Sequence, residues 1–392
     1  MSQPSPVPTG QRLWTIDFIL DLLTGHFLFV GYVSLFTIVP PYVLDRGGEE
    51  WQIGVVVGSF GITGVIVRPL VGRWIYKFGA KRMAVLGTAI FALGSVLYIL
   101  APDVWWLVPV RMLQGIGLGM APVANSTMVA NLAPIHRRAE AMSYMGNAIA
   151  VSSLYAPVMG FWLMTEHGFA AGFLYSASNA LLGAILALGI SSARTRVPAS
   201  TTSGWSAPLI SRQALFPAAV FLSYTITTAP MNTFLPLLAE DRGLGNPGLF
   251  FTVSSFTTMS AMLAAGPVAD RAGRATVIIP GLLSAASAMF LLTAASNRFM
   301  FLGAGFLNGA GFGLIQPGIQ SFTVDRVEPR ERSSAMATLQ QAWDVGGSGG
   351  AFLLGPIATA LSVAATFGIV GVGALVGTAG FVVGIARNRK ST

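Results

Sequence analysis

Six ionisable residues stand inside long apolar runs of this chain: Asp17, Asp21, His26, Arg68, Arg111 and Asp344. A charge in a hydrocarbon setting is expensive, so each is a functional hypothesis. Asp344 stands about ten residues into its run, roughly 15 Å deep at about 1.5 Å per residue. Gln340 is one turn earlier on the same face, and Trp343 is adjacent. Desolvation favours the neutral form of a carboxyl group, so a carboxyl at that depth suits taking up and releasing a proton. The other reading is a carboxylate hydrogen-bonded to a neighbouring helix for structure. Arg111 cannot lose its charge and needs acceptors or an anionic partner. It is either paired with such an anion or bonded to backbone carbonyls beside flexible glycines. Asp21 lies a turn or more inside its segment, with Asp17 four residues earlier and nearer water. Asp21 reads as a gate or proton-exit group, or as an interfacial carboxylate with basic partners. His26 titrates near neutrality when unperturbed; a lone His in a helix also serves as a hydrogen-bonded packing residue. Arg68, just before Pro69, is expected to snorkel to an interface.

The elements that position these groups are membrane spans. The chain has 392 residues, 53% hydrophobic and only 10% charged, with mean hydropathy +0.68. Soluble domains carry roughly 25% charge, so a bilayer is the solvent that fits, and a soluble enzyme is excluded. Twelve apolar runs are expected at roughly 16–44, 52–74, 83–101, 104–130, 141–164, 169–190, 214–239, 248–268, 276–296, 299–323, 335–361 and 363–386. Pro40 and Pro41 are expected to end the first, and Pro230 and Pro236 to interrupt the seventh. The fold class is therefore an all-α membrane protein of two six-helix bundles, 14–190 and 214–386. A tail at 1–13, a linker at 191–213 and a tail at 387–392 complete the chain. The first residues lack the order of a cleaved signal peptide. The net charge of +8 does not form a basic domain face, so no nucleic-acid partner is expected. Outside the spans, Arg46, Arg242 and Arg298 fall on one side; the remaining Lys and Arg fall on the side of the termini. The positive-inside rule puts that side in the cytoplasm. With no cysteine there are no disulfides or thiolate metal sites. No phosphate-binding loop occurs, and His26, His136 and His167 lack metal-ligand spacing, so no cofactor or metal is expected.

The second half repeats the first at a fixed offset of 194 positions. Gly72, Tyr76, Lys77 and Gly79 recur as Gly266, Asp270, Arg271 and Gly273. Gln114-Gly115-x-Gly117-x-Gly119 recurs as Asn308-Gly309-x-Gly311-x-Gly313. The loop around Gly72–Arg82 and its copy, which ends on Arg274, resemble the signature gating loop of the major facilitator superfamily. Arg111-x-x-Gln114-Gly115 resembles that family's R-x-x-Q-G motif, and Ala156-Pro157-x-x-Gly160 weakly resembles its antiporter motif. Tyr76 stands where the family has an acid; Asp270 retains one. Asp344 has the apolar Ala150 as its repeat mate. The resemblance implies two pseudo-symmetric bundles that expose a central cavity to each side in turn. Tyr32, Gln114, Asn147, Tyr224, Asn232, Asn308, Gln316, Gln340 and Trp343 are the candidates to line it. It implies a secondary transporter and makes Asp344, Arg111, Asp21 and His26 the proton-coupling candidates. The leading expectation is proton-coupled export of a small amphipathic or polar solute by a monomer in the plasma membrane. Proton-coupled uptake of a sugar or carboxylate, and a non-transporting scaffold or receptor, are the alternatives. The expected partners are a small-molecule substrate, protons and the bilayer.

Overall fold

The computed structural model describes residues 13–134, 137–191, 211–328 and 332–389. The first half contains α1 (Ile16–Asp45), α2 (Glu50–Phe78), α3 (Ala80–Leu97), α4 (Leu107–Leu132), α5 (Arg138–His167) and α6 (Phe169–Gly189). The second contains α7 (Leu215–Thr225), α8 (Thr228–Asp241), α9 (Gly248–Ala272), α10 (Ala275–Ala294) and α11 (Arg298–Val324). It ends with α12 (Arg332–Asp344), α13 (Gly350–Ala360) and α14 (Val363–Arg389). Most of the expected linker and the first residues of the tail lie outside the described residues, as does His136.

Among the described residues, eleven segments are long and apolar enough to cross a membrane, α7 and α8 counting as one. The remaining expected span, the eleventh at 335–361, is crossed by α12, a five-residue π turn at Val345–Gly349, and α13. It falls short of the others because it is broken and because its first half carries Gln340, Gln341 and Asp344. Polar side chains and a π turn in a spanning segment are tolerated where they face protein or a cavity.

Two expectations about proline are corrected. Helix α1 does not end at Pro40-Pro41 but runs through both to Asp45. Span seven breaks before Pro230, at Ile226 and Thr227 between α7 and α8. A proline ring clashes with the carbonyl four residues back, which here is Ile226. Pro230 then sits in the first turn of α8, where its missing N–H costs no helical bond, while Pro236 stays inside the helix.

The sequence repeat reappears as a packing repeat. Within the first half α2 and α3 both pack on α4, and α3 on α6; in the second, α9 and α10 pack on α11, and α10 on α14. Helices α2 and α9 both end on a glycine in the left-handed region, Gly79 at φ +91° and Gly273 at φ +95°. Gly115 and Gly309 mark matching crossings. A Cβ at Gly115 would strike the Phe60 carbonyl, and one at Gly309 the Ser254 carbonyl, so only glycine lets these helices touch.

The halves meet closely on the face away from the chain ends. A Cβ on Gly54 of α2 would lie 2.5 Å from the Ala351 carbonyl of α13 and 3.0 Å from Gly355 Cα. Gly58 faces the Phe352 ring and Gly61 faces Ser348. The Trp51 amide donates to Thr359 Oγ1 at 3.2 Å. On the opposite flank α9 packs on α5. Asn246 Nδ2 donates to the Val158 carbonyl at 3.2 Å, and Thr252 Oγ1 to the Leu154 carbonyl at 2.5 Å. On the face carrying the chain ends, a Cβ at Gly72 or Gly266 would meet nothing within 4 Å.

Candidate functional site

The glycine contacts of α2 run down one helix face, from Gly54 through Gly58 to Gly61. Two turns farther along comes Arg68. The facing span runs antiparallel, from Gly355 through Phe352 and Ser348 to Asp344. The ladder ends on an ion pair: Arg68 Nη1 donates to Asp344 Oδ2. The Arg68 side chain is 29% exposed and that of Asp344 14%. Arg68 therefore does not snorkel as expected. A buried carboxylate at the end of α12 is stabilised by a cationic partner, and the arginine on the facing helix is within reach. Asp344 is the last residue before the π turn, and that turn is rich in glycine: Gly346, Gly347 and Gly349.

Arg111 is 2% exposed on α4. Its Nη1 donates weakly to Gln114 Oε1 at 3.4 Å, and its guanidinium lies 5.6 Å from the Phe60 ring centroid. Tyr32 stacks on the same Phe60 ring at 5.3 Å. Tyr32 of α1, Phe60 of α2 and Arg111 of α4 thus form one chain of contacts in the first half, while Arg68 of α2 reaches α12 of the second.

Gln114 does not face a cavity. It is fully buried, donates from Nε2 to Ser95 Oγ at 2.9 Å, and accepts from Tyr98 OH at 2.9 Å. It holds Arg111 against α3. Asn308, its repeat mate, is also bonded into helix packing, donating from Nδ2 to Ser254 Oγ at 2.9 Å. Asn147 lies on the exposed early part of α5, and Asn232 is half-buried on α8. For Gln114 and Asn308 the physical reason is that an amide between apolar helices is held by the nearest hydroxyl.

His26 bridges α1 and α5. Its Nδ1 lies 2.7 Å from the Ala148 carbonyl and its Nε2 2.8 Å from Tyr155 OH. Asp17 accepts from the Ser191 amide at 2.9 Å. Asp21 is 1% exposed, and neither carboxylate oxygen has a hydrogen-bond partner among the described residues. Neither His26 nor Asp21 joins the Arg68–Asp344 pair. In the gating loops, Lys77 lies over the Phe78 ring and Arg274 Nε donates to Asp325 Oδ2 at 3.1 Å. The side chains of Tyr76 and Asp270 lie outside the described residues.

Beside Asp344 the second half forms a recess of about 130 Å³ between α7, α11 and α12. Phe221, Phe312 and Trp343 wall it; Gln316, Gln320 and Gln340 supply amides; Met336 and Leu339 complete it. Tyr224 stacks behind Phe312 at 5.7 Å. Phe221 and Phe312 are lining residues not expected from the sequence. Phe312 stands one turn before Gln316 and two before Gln320 on the same helix face, the signal that could have found it.

The Major Facilitator Superfamily profile matches residues 22–253 and again 246–391. The chain belongs to the major facilitator superfamily. It is 32% identical over 168 residues to Multidrug resistance protein 1 of Bacillus subtilis (strain 168), covering 43% of each chain. It is 26% identical over 334 residues to the Multi-drug resistance efflux pump PmrA homolog of Lactococcus lactis subsp. lactis (strain IL1403), covering 80% of this chain and 81% of that one. The chain thus spans under half the length of the first of these relatives. Among solved structures, that of the nucleoside transporter NupG matches with TM-score 0.76 at 13% identity, over 94% of this chain and 98% of that one. That likeness shows the fold. This superfamily member is a multi-pass membrane protein, all-helical in two related halves.

Proposed function

We propose that this chain is a secondary active transporter that exports a small amphipathic or polar solute in exchange for protons. It works by alternating access in a bacterial plasma membrane, with both termini cytoplasmic. The observation that carries the reading is the Arg68–Asp344 pair, which joins the two halves at the inner end of the glycine ladder. In this arrangement the sealed face is the external one and the chain ends face the open side.

Ionised Asp344 holds Arg68 and keeps the external seal shut. A proton on Asp344 removes the charge that Arg68 binds, and the ladder loses its last rung. A solute that draws Arg68 or Asp344 away has the same effect. Either event frees the halves to exchange faces, while the empty, deprotonated carrier stays locked. That rule couples two opposite fluxes, because only a loaded carrier moves. Arg111 and Tyr32 meet on the Phe60 ring; Asp21, buried without a partner among the described residues, is a second candidate for a proton on the cytoplasmic side. The printed names of the relatives, multidrug resistance and efflux proteins, favour export.

The test is flux from proteoliposomes under an imposed pH gradient. Solute is expected to accumulate against its gradient in the native protein. Asp344→Asn should abolish that accumulation while leaving gradient-free solute exchange in place. Undiminished pH-driven accumulation by Asp344→Asn would remove Asp344 from the coupling step.

A further inference from the structure

We infer that the recess between α7, α11 and α12 is the solute-recognition site, and that it takes an uncharged planar heteroaromatic ring with both donors and acceptors on its edge. The inference rests on the transporter reading and names its substrate class.

Its walls are aromatic and mutually braced. Phe312 lies 5.3 Å and Phe221 5.9 Å from Trp343, and Phe221 lies 6.2 Å from Tyr224. Such faces favour a flat, π-bearing guest. The floor and rim are amides. Gln316 and Gln320 are one turn apart on α11, and Gln340 faces them from α12. None of the three side chains is hydrogen-bonded to another described residue, while Gln114, in the other half, is fully bonded. Each free amide offers donors and an acceptor, which is the complement of a heterocycle's edge.

The lining contains no charged side chain. The nearest carboxylate, Asp344, is held by Arg68. A permanent cation therefore finds no counter-charge here. The volume, about 130 Å³, is below the roughly 300–1,000 Å³ of a drug-sized pocket, so the recess takes one ring system rather than a whole large molecule.

The repeat supports a dedicated function. The positions 194 residues before Gln316, Gln320, Gln340 and Trp343 hold Pro122, Ser126, Gly146 and Ile149. The amides and the tryptophan thus have no mates in the first half, although the backbone there is the same. A merely structural set would follow the symmetry of the scaffold. Trp343 also precedes Asp344 directly, so a ring seated on Trp343 bears on the backbone that carries the coupling carboxylate.

The experiment is equilibrium binding to purified full-length protein, read by thermal stabilisation and by quenching of tryptophan fluorescence. The probes are 4-quinazolinone, the non-aromatic amide cyclohexanecarboxamide, and the lipophilic cation tetraphenylphosphonium. 4-Quinazolinone is expected to stabilise and quench, with the two controls at least tenfold weaker. Gln340→Leu and Gln316→Leu are each expected to weaken it by up to about tenfold, the worth of one hydrogen bond. Gln340 is exposed, so its variant tests recognition with the fold intact. Equal or tighter binding of either control, or unchanged binding in both glutamine variants, would overturn the inference. Binding requires no proton gradient. Selective binding without pH-driven flux upholds the recess and sinks the coupling reading; pH-driven flux without such binding does the reverse.

Discussion

Asp344 and Arg68 illustrate how a membrane interior decides charge. Both side chains are largely withdrawn from solvent, and each satisfies the other. Removing one partner leaves a buried charge, which in fully buried pairs costs about 3–5 kcal/mol; with these exposures a smaller loss is expected. Arg68→Ala should therefore lower the melting temperature and unlatch the external seal, whereas the swap Arg68→Asp with Asp344→Arg should recover both. Thermal denaturation with and without the swap checks this, and a swap no better than the single change would refute the pair. Asp344 and Arg111 were legible in the sequence because charge inside an apolar run stands out. Their partners were not. The pair joins residues on opposite halves, so it depends on how each helix is rotated, and Arg68 beside Pro69 reads locally as an interfacial residue. Gln114 and Asn308 show the same limit. An amide in an apolar segment announces polarity but not whether it faces a cavity or a neighbouring hydroxyl.

At the scale of elements, the external seal depends on α2 reaching the backbone of α13. Gly54 approaches the Ala351 carbonyl so closely that any side chain must push the helices apart. Gly54→Val is expected to shift the population toward the externally open form without unfolding either half. The chain has no native cysteine, so single introduced thiols report cleanly. A cysteine at Ser348 should react with an external maleimide several times faster in the Gly54→Val background, and equal rates would count against the seal. Helix positions were legible from apolar length alone. Their breaks were harder. The rupture of span seven occurs at the carbonyl that Pro230 would crowd, four residues upstream of the proline. The π turn after Asp344 shows in the sequence only as a glycine run, which close packing would equally explain.

Across the molecule, symmetry builds the scaffold and asymmetry carries the chemistry. Gly79 and Gly273 bend the chain alike, and the helix contacts of the two halves correspond. Asp344, Trp343 and the three glutamines lie in the second half alone, while Arg68 and Arg111 lie in the first. On the proposed mechanism an exchange of faces makes and breaks a contact between unlike halves, the Arg68–Asp344 pair. The most direct test is the distance between spin labels at Glu166→Cys and Asp241→Cys, exposed positions on the sealed face of opposite halves. Ionised Asp344 pairs and protonated Asp344 does not, so the open population should grow as the pH falls. The predicted result is a label separation that is wider at low pH than at high pH in the native background. Asp344→Asn should be wide at both. A separation that ignores pH and is unchanged by Asp344→Asn would contradict the account.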